Sequence, residues 1–311
     1  MPRRVNTSNL RVVEGTPIDI DATNEGLDLS LSREDLRRSV NRGRMYVWPP
    51  TGDNPRSYIS VTNALGAIPK KALVYWAAKE VANAAVSKYD LLGGMIEDNP
   101  EDAVKWLKGA PWGNRDRAAD MGTAIHSVAE LDAEGQSGDA DEIIASLPPD
   151  AQAKARQVRD CLDRLPVRIE HTEAVVYSDD YGYAGTLDFI VSTDDEELLS
   201  RLPHEGTAPD GRAYFIADLK TGKGVYPEVA LQLAAYRHAT HMVDLANVTR
   251  VDVPEVHGGF VIHPTEKSWA IIPVACGIDA FRDFLSALTL SRSLPLSEQY
   301  IGSAAMRGRA K

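Results

Sequence analysis

The stretch that most constrains the fold is residues 214–222, which read YFIADLKTG. An apolar run followed by charged residues and a glycine predicts a short buried strand that ends at a turn. Because side chains alternate along a strand, Asp218 and Lys220 should share one side while Leu219 points into the core. Taken alone, such a pair is more typical of a solvated strand end or a simple ion pair. Its meaning therefore depends on the rest of the chain.

The composition excludes several kinds of protein. Hydrophobic residues make up 43% of the 311-residue chain and charged residues 25%, as in ordinary soluble globular proteins. No apolar run approaches the ~20 residues of a membrane span, and the start of the chain holds no apolar segment typical of a secretory signal. We therefore expect a cytoplasmic protein without a membrane partner.

Cysteine usage argues against a metal site made of thiolates. Cys161 and Cys276 are far apart in the sequence and form no Cys-x-x-Cys motif. They cannot by themselves hold a zinc ion or an iron–sulfur cluster, and a disulfide framework is not expected. Any metal cofactor should therefore be held by oxygen and nitrogen ligands.

The charge is unevenly distributed along the chain. A net charge of −11 argues against a protein that coats nucleic acid without specificity. However, ten Lys and Arg residues face only four Asp and Glu residues between Arg33 and Lys88, whereas residues 179–197 hold seven acids and no base. The basic region is a candidate track for phosphates, and a solvated helix face explains it equally well.

Turn residues and hydrophobic periodicity divide the chain into three parts. Residues 1–56 are predicted to be a partly ordered N-terminal extension, residues 57–295 a folded domain and residues 296–311 a tail. Within the domain, residues 57–166 are predicted to be mainly helical and residues 167–290 to form the sheet core. This order predicts an α/β fold with a mixed central sheet flanked by helices and an N-terminal helical region.

Several helices are predicted from local signals. Capping residues favour a short helix over residues 32–41, and Asn99 followed by Pro100 is a strong helix start. Further helices are predicted after Pro69 to about residue 87, over residues 115–133 and over residues 227–243. The helix after Pro69 carries an apolar stripe expected to face inward: Leu73, Trp76, Ala77, Val81 and Val86.

Five more polar residues fall on predicted elements around the central strand: His126, Glu173, Asp188, Gln232 and Tyr236. Asp188 lies among apolar strand residues, and a buried aspartate is uncommon unless it is paired or binds a cation. Gln232 and Tyr236 are four residues apart, so they share one stripe of a helix. Each residue also has a simpler explanation as a hydrogen-bonded core residue, a strand-end ion pair or a helix-packing pair.

Together these residues fit one chemistry better than separate explanations. Asp188 and Asp218, with the Leu219 carbonyl and His126, would form a mostly oxygen cage for Mg²⁺ or Mn²⁺. A bound metal would lower the pKa of a water molecule and polarise a phosphodiester. Lys220 beside it would orient the water or stabilise charge on the phosphate.

In chain order, these motifs resemble those of the PD-(D/E)XK nuclease superfamily. The nearest branch is the RecB-type exonucleases, with phage-encoded and CRISPR-associated relatives. The motifs that carry the resemblance, within about residues 120–240, are Gly122-Thr123-Ala124-Ile125-His126, Glu173, Gly185-Thr186-Leu187-Asp188, Asp218-Leu219-Lys220-Thr221-Gly222 and Gln232-x-x-x-Tyr236. Leu187 stands where many members have proline. The four cysteines that hold an iron–sulfur cluster in many CRISPR-associated relatives are missing, so no such cluster is expected.

The resemblance implies a restriction-endonuclease-like fold and specific roles for the site residues. His126, Asp188 and Asp218 would bind Mg²⁺ or Mn²⁺. Lys220 would be catalytic together with the two aspartates, and Glu173 would support the site. The implied activity is metal-dependent hydrolysis of DNA by an exonuclease that acts in phage or cellular recombination and repair.

The same resemblance suggests how DNA would be bound. Gln232 and Tyr236 would organise the site and its DNA, and the basic region adds Lys70 and Lys71 as predicted DNA contacts. Linear ends or single strands of DNA are the expected substrate. A recombinase or a single-strand annealing protein is an expected partner, and a phage-encoded protein would work in the host cytoplasm.

Two alternative functions stay open. The chain could be a catalytically weak DNA-end-binding recombination accessory, although every catalytic-type residue is present. It could also be a structure-specific endonuclease, although no separate base-reading domain is visible. A P-loop is excluded because Ala217 occupies the position of its first glycine, and the HExxH motif of zinc hydrolases is missing.

Overall fold

The structure is a computed structural model that describes residues 37–40, 43–50, 54–245 and 249–294. Within these residues, helices flank a mixed sheet of ten strands, which confirms the predicted α/β class. The strands are β1 (Arg37–Val40), β2 (Gly43–Trp48), β3 (Arg56–Ser60), β4 (Arg168–Ser178), β5 (Tyr183–Thr193), β6 (Ala213–Leu219), β7 (His241–Asp244), β8 (Thr249–Asp252), β9 (Gly258–Pro264) and β10 (Trp269–Val274). The helices are α1 (Val61–Leu65), α2 (Lys71–Ser87), α3 (Tyr89–Asp98), α4 (Pro100–Ala133), α5 (Ser137–Ser146), α6 (Pro149–Arg164), α7 (Glu196–Arg201), α8 (Glu228–Arg237) and α9 (Ile278–Ser293). No helix in these ranges is both long and apolar enough to cross a membrane.

Strand β5 lies at the centre of the sheet, where the sheet branches. Along one edge, β5 pairs antiparallel with β4 over nearly its whole length. Along the other edge it pairs with β3 only at Tyr183 and Ala184, and with β6 only from Phe189 to Thr193. Residues 185–188 lie between these two partners, so the described sheet forks at this point.

Strand β6 continues the sheet on one side of the fork. It pairs antiparallel with β5 and parallel with β9, and β10 follows β9 at the edge. Phe215, Ala217 and Leu219 join the apolar cluster under α4, α5 and α6, whereas Ile216 joins the cluster under α1, α8 and α9. The predicted alternation is therefore confirmed: Leu219 is in the core, and Asp218 contacts the α8 side.

Local capping signals explain where two helices begin. The Ser60 hydroxyl accepts a hydrogen bond from the Asn63 amide at 3.1 Å, which caps α1. Asn99 accepts one from the Glu101 amide at 3.1 Å, and Pro100 takes the first position of α4. Helix α4 runs through Pro111 for 34 residues, so the helix predicted over residues 115–133 is the second half of a longer one.

The helix predicted over residues 32–41 is wrong for its described part. Residues 37–40 form β1, which pairs with β2, and β2 pairs with β3 in the central sheet. Capping is a local preference, and pairing with a sheet overrides it. Residues 1–36 of the predicted extension and the predicted tail over residues 296–311 lie outside the described residues.

Two other helix predictions are wrong in part. Helix α2 exists, but it fully buries none of its side chains, and Leu73 and Val86 of the predicted inward stripe are 50% and 80% exposed. The helix predicted over residues 227–243 ends at Arg237, and residues 241–244 form β7. Met242 pairs with Val176 of β4, so the sheet again overrides a helical pattern.

Replacement of Phe215 tests where the hydrophobic core lies. Replacing this fully buried residue with alanine should lower the free energy of unfolding by about 3–5 kcal/mol, because a large cavity replaces packed ring atoms. Urea unfolding followed by circular dichroism measures the change. Val74→Ala is the control: this residue is 71% exposed, so its replacement should change stability by less than about 0.5 kcal/mol. Equal losses in both variants would contradict this burial pattern.

Candidate metal centre

The fork of the sheet fixes the position of Asp188. Its Oδ2 accepts a hydrogen bond from the Leu219 amide at 2.7 Å. The carboxylate thus takes the place that a strand partner would occupy at the end of β6. As a result, Asp188 is held beside the segment that carries Asp218 and Lys220.

Three potential metal ligands converge at this point from α4, β4 and β5. His126 Nδ1 lies 3.4 Å from Asp188 Oδ1 and 3.8 Å from Glu173 Oε1. One ligand atom from each of the three residues lies within 4.8 Å of the other two. All three residues are half-buried, so solvent and small ions can reach the group.

The backbone at Glu173 is strained. Its φ of 45° lies in the left-handed region that favours glycine. The flanking residues Thr172 and Ala174 pair with Phe189 and Leu187. Glu173 of β4 therefore lies opposite Asp188 of the neighbouring strand β5. Like charges at opposite positions destabilise a sheet. Strain combined with like charge is typical of a binding site rather than of a structural strand pair.

Asp218 is buried, and its two oxygens have different neighbours. Oδ1 accepts a hydrogen bond from Gln232 Nε2 at 3.2 Å. Oδ2 lies 2.5 Å from Lys220 Nζ but makes no hydrogen bond of good geometry with any described residue. One oxygen of Asp218 therefore has an ion-pair contact alone and retains capacity to bind another ligand.

Helix α8 supports Asp218 through two residues. Gln232 Nε2 also lies 3.3 Å from the Tyr236 hydroxyl. Tyr236 is buried against Gly185, where an added β-carbon would lie only 2.5 Å from Tyr236 Cε1. A glycine is needed at this position because the tyrosine ring fills the fork. Direct DNA binding by Gln232 and Tyr236 stays a prediction, and their contacts place both in support of Asp218.

The turn after β6 is held by residues that the sequence reasoning missed. Lys154 Nζ of α6 donates a hydrogen bond to the Thr221 carbonyl at 2.8 Å, and His263 Nε2 lies 3.1 Å from the Gly222 carbonyl. Gly122 of α4 leaves room for Thr221, because an added β-carbon would lie 3.3 Å from its Oγ1. Lys154 and His263 belong to none of the sequence motifs. Lys154 lies 67 residues before Thr221, so no local pattern indicates this contact.

The charges of the site are interdependent. Burial alone would lower the pKa of His126, but Asp188 and Glu173 raise it to about 10. Burial alone would raise the pKa of Asp188, but the charge of His126 lowers it. Burial raises the pKa of Asp218 to about 6, with Asp188 acting in the same direction and Lys220 against it. These carboxylates depend on nearby positive charge, as those of a cation site do.

This donor set fits Mg²⁺ or Mn²⁺. Carboxylate oxygens suit both ions, and an imidazole nitrogen is a more natural ligand for Mn²⁺. The close group contains Glu173 together with the predicted ligands His126 and Asp188. The third predicted ligand, Asp218, lies next to this group and pairs with Lys220 instead. The predicted catalytic residues are thus neighbours in space.

The two predicted DNA-binding lysines lie outside this group. Lys70 Nζ is 3.1 Å from Glu228 Oε1 at the start of α8, and Lys71 is exposed at the start of α2. Glu228 is one helical turn before Gln232, so the pair stands at the margin of the site. DNA binding by these lysines stays a prediction.

Comparison with known proteins adds no identification, because no protein-family model and no curated protein matches the chain. The function must therefore be inferred from the residues of the site. Any proposed function must explain why these residues are grouped in space, which no single motif does.

Gly185 offers a test of the packing that supports Asp218. Gly185→Ala should lower the free energy of unfolding by about 1–3 kcal/mol, because its methyl group collides with the Tyr236 ring. Urea unfolding measures the loss. The matched control is Gly109→Ala in α4, where nothing lies within 4 Å of the new methyl group and the helix should gain about 0.5–1 kcal/mol.

A double variant separates the collision from a general loss of glycine. In a Tyr236→Leu background, Gly185→Ala should cost much less than in the wild type, because the ring that it meets is gone. An unchanged cost in that background would contradict the role assigned to Tyr236.

Proposed function

We propose that this protein is a divalent-metal-dependent deoxyribonuclease of the PD-(D/E)XK type, which acts as an exonuclease on linear or single-stranded DNA. One observation carries the proposal. The group of His126, Glu173 and Asp188 lies beside the Asp218–Lys220 ion pair, at the same fork of the sheet. A cation site next to a lysine is suited to a negatively charged phosphodiester.

Each residue has a role in this proposal. His126, Glu173 and Asp188 would hold Mg²⁺ or Mn²⁺, and Asp218 Oδ2, which is paired with Lys220 in this structure, would be a further ligand. The bound ion would lower the pKa of a water molecule and polarise the phosphodiester. The Lys220 ammonium would orient that water and stabilise the negative charge that develops on the phosphate.

The proposed reaction needs water as its nucleophile. Hydrolysis forms one P–O bond from water and breaks the P–O bond to the neighbouring nucleotide, which leaves a phosphomonoester and a hydroxyl group. A cysteine nucleophile does not fit this chain, because Cys161 and Cys276 are both buried. Burial raises the pKa of Cys161 to about 12 and also raises that of Cys276, so neither thiol ionises readily.

The two alternatives differ from this proposal in measurable ways. A DNA-end-binding accessory would bind DNA without cleaving it, whereas retention of both Asp218 and Lys220 favours an enzyme. A structure-specific endonuclease would cut DNA that has no free end. Action in phage or cellular recombination, with a recombinase or an annealing protein as partner, belongs to the same proposal.

Cleavage should depend on Asp218 and Lys220. Asp218→Asn and Lys220→Ala should each reduce cleavage of end-labelled linear DNA by at least 10²- to 10³-fold, on the order of the loss seen when a charge stabiliser is removed. Gel assays with Mg²⁺, Mn²⁺ or EDTA measure the loss. Asp252→Asn and Lys267→Ala serve as matched controls at exposed positions and should cleave like the wild type.

Three results would contradict the nuclease proposal. They are wild-type activity in both site variants, cleavage that persists in EDTA, and no cleavage by the wild-type protein with either metal. Circular dichroism should show that the site variants are folded. Closed circular DNA cut as fast as linear DNA would replace the exonuclease with the endonuclease alternative.

Metal affinity tests the ligand group separately from activity. His126→Ala and Glu173→Gln should each weaken Mn²⁺ binding by at least about tenfold, because changes even outside the ligand sphere typically cost 10–100-fold. Isothermal titration calorimetry measures the affinity. His204→Ala is the control, since His204 lies beside Phe215, towards the other end of β6. Unchanged affinity in His126→Ala would make His126 an ordinary half-buried histidine.

A further inference from the structure

One face of α2 is left uncovered by the rest of the described protein. Helical periodicity places six exposed residues on this outer face: Lys71, Tyr75, Ala78, Lys79, Ala82 and Val86. Tyr75 is 78% exposed. The opposite side of the helix, with Glu80, Ala84 and Lys88, lines a cleft of about 900 Å³ against α4. Helix α2 is thus anchored on one side and open on the other.

The outer face combines an aromatic ring with positive charge. Lys71 and Lys79 lie four residues before and after Tyr75, so both ammonium groups flank the ring along the helix. Neither lysine forms an ion pair with another residue of the described ranges. The only acid in α2, Glu80, faces the cleft instead. This face is therefore locally cationic in a chain of net charge −11.

The outer face begins at the margin of the candidate metal centre. Lys70, directly before α2, lies 3.1 Å from Glu228 in the first turn of α8. One turn further along α8, Gln232 donates its hydrogen bond to Asp218. From Lys71 at this margin, Tyr75 and Lys79 follow at intervals of about 6 Å, which is the rise of four helical residues. A strand that leaves the site can therefore follow α2.

We infer that the outer face of α2 binds the single-stranded part of the DNA substrate, with a base stacked on Tyr75 and phosphates held by Lys71 and Lys79. This inference rests on the proposed function and adds a preference for single strands. Unpaired bases stack on exposed aromatic rings while cationic side chains track the backbone. A duplex keeps its base faces covered, so it cannot use the Tyr75 ring in this way.

Binding without cleavage provides the test. Fluorescence anisotropy in EDTA, with labelled oligothymidylate or a blunt duplex, measures affinity independently of catalysis. Tyr75→Ala should weaken oligothymidylate binding by roughly 5- to 100-fold, because stacking on one base is lost. Tyr75→Phe should keep most of the affinity, since the ring remains. Duplex binding should change much less in either variant.

The contribution of the lysines to DNA binding is measured separately, from the salt dependence of the affinity. Lys79→Ala should reduce the slope of log affinity against log salt concentration by about 0.7, which is the value for one lost phosphate contact on a single strand. Lys79→Arg should restore the slope. Tyr89→Ala in α3 and Lys108→Ala in α4 are matched controls, because both residues are exposed but lie outside the outer face. Both controls should bind like the wild type.

Several results would overturn the inference. Tyr75→Ala could leave oligothymidylate binding unchanged, weaken duplex binding equally, or weaken binding no more than Tyr89→Ala does. A change of oligomeric state in Tyr75→Ala, seen by analytical ultracentrifugation with DNA affinity intact, would assign the face to a second copy of the chain. If the wild type cleaves DNA but Tyr75 has no effect, this inference alone fails. If the wild type neither binds nor cleaves DNA, the proposed function fails with it.

Discussion

The hydrogen bond from the Leu219 amide to Asp188 is the interaction on which the site depends. Where β5 loses a strand partner at the fork, backbone groups need other partners, since buried polar groups rarely go unpaired. A carboxylate meets this need at the end of β6 and at the same time places a negative charge there. The Tyr236 ring packs against Gly185 in the same gap. The irregularity of the sheet and the grouping of the charged residues therefore have one cause.

This arrangement concentrates charge where stability alone would favour apolar residues. An exposed pair such as Arg282 with Asp279 contributes about 0–1 kcal/mol, whereas a buried carboxylate left without a partner costs about 3–5 kcal/mol. His126 and Lys220 therefore stabilise the fold by compensating the charges of Asp188 and Asp218. The strained backbone of Glu173 adds a further cost. Backbone strain and perturbed charges of this kind cluster at functional sites in proteins, which is why this group is the candidate site.

Structural features that depend on short-range sequence patterns were predicted correctly. Strand alternation placed Asp218 and Leu219 on opposite sides, and the capping residues located the start of α4 correctly. The errors arise where pairing between strands decides the outcome, as in β1, which pairs with the next strand β2 although capping residues predicted a helix. The fork joins residues 31 positions apart, and the left-handed φ of Glu173 has no local signature. Periodicity identified an apolar stripe on α2 but could not show that little of the described protein packs against it.

An acidic protein can still bind a polyanion if its acids are kept away from the site. The acids at residues 194–197 follow the end of β5, six or more residues after Asp188. At about 3.3 Å per strand residue this is a separation of roughly 20 Å, more than twice the Debye length of about 8 Å at physiological salt. Asp179 is neutralised by Arg56 and Arg250. The acids at residues 194–197 are thus screened from the fork and the charge of Asp179 is compensated by two arginines, so neither group adds to the negative charge at the site.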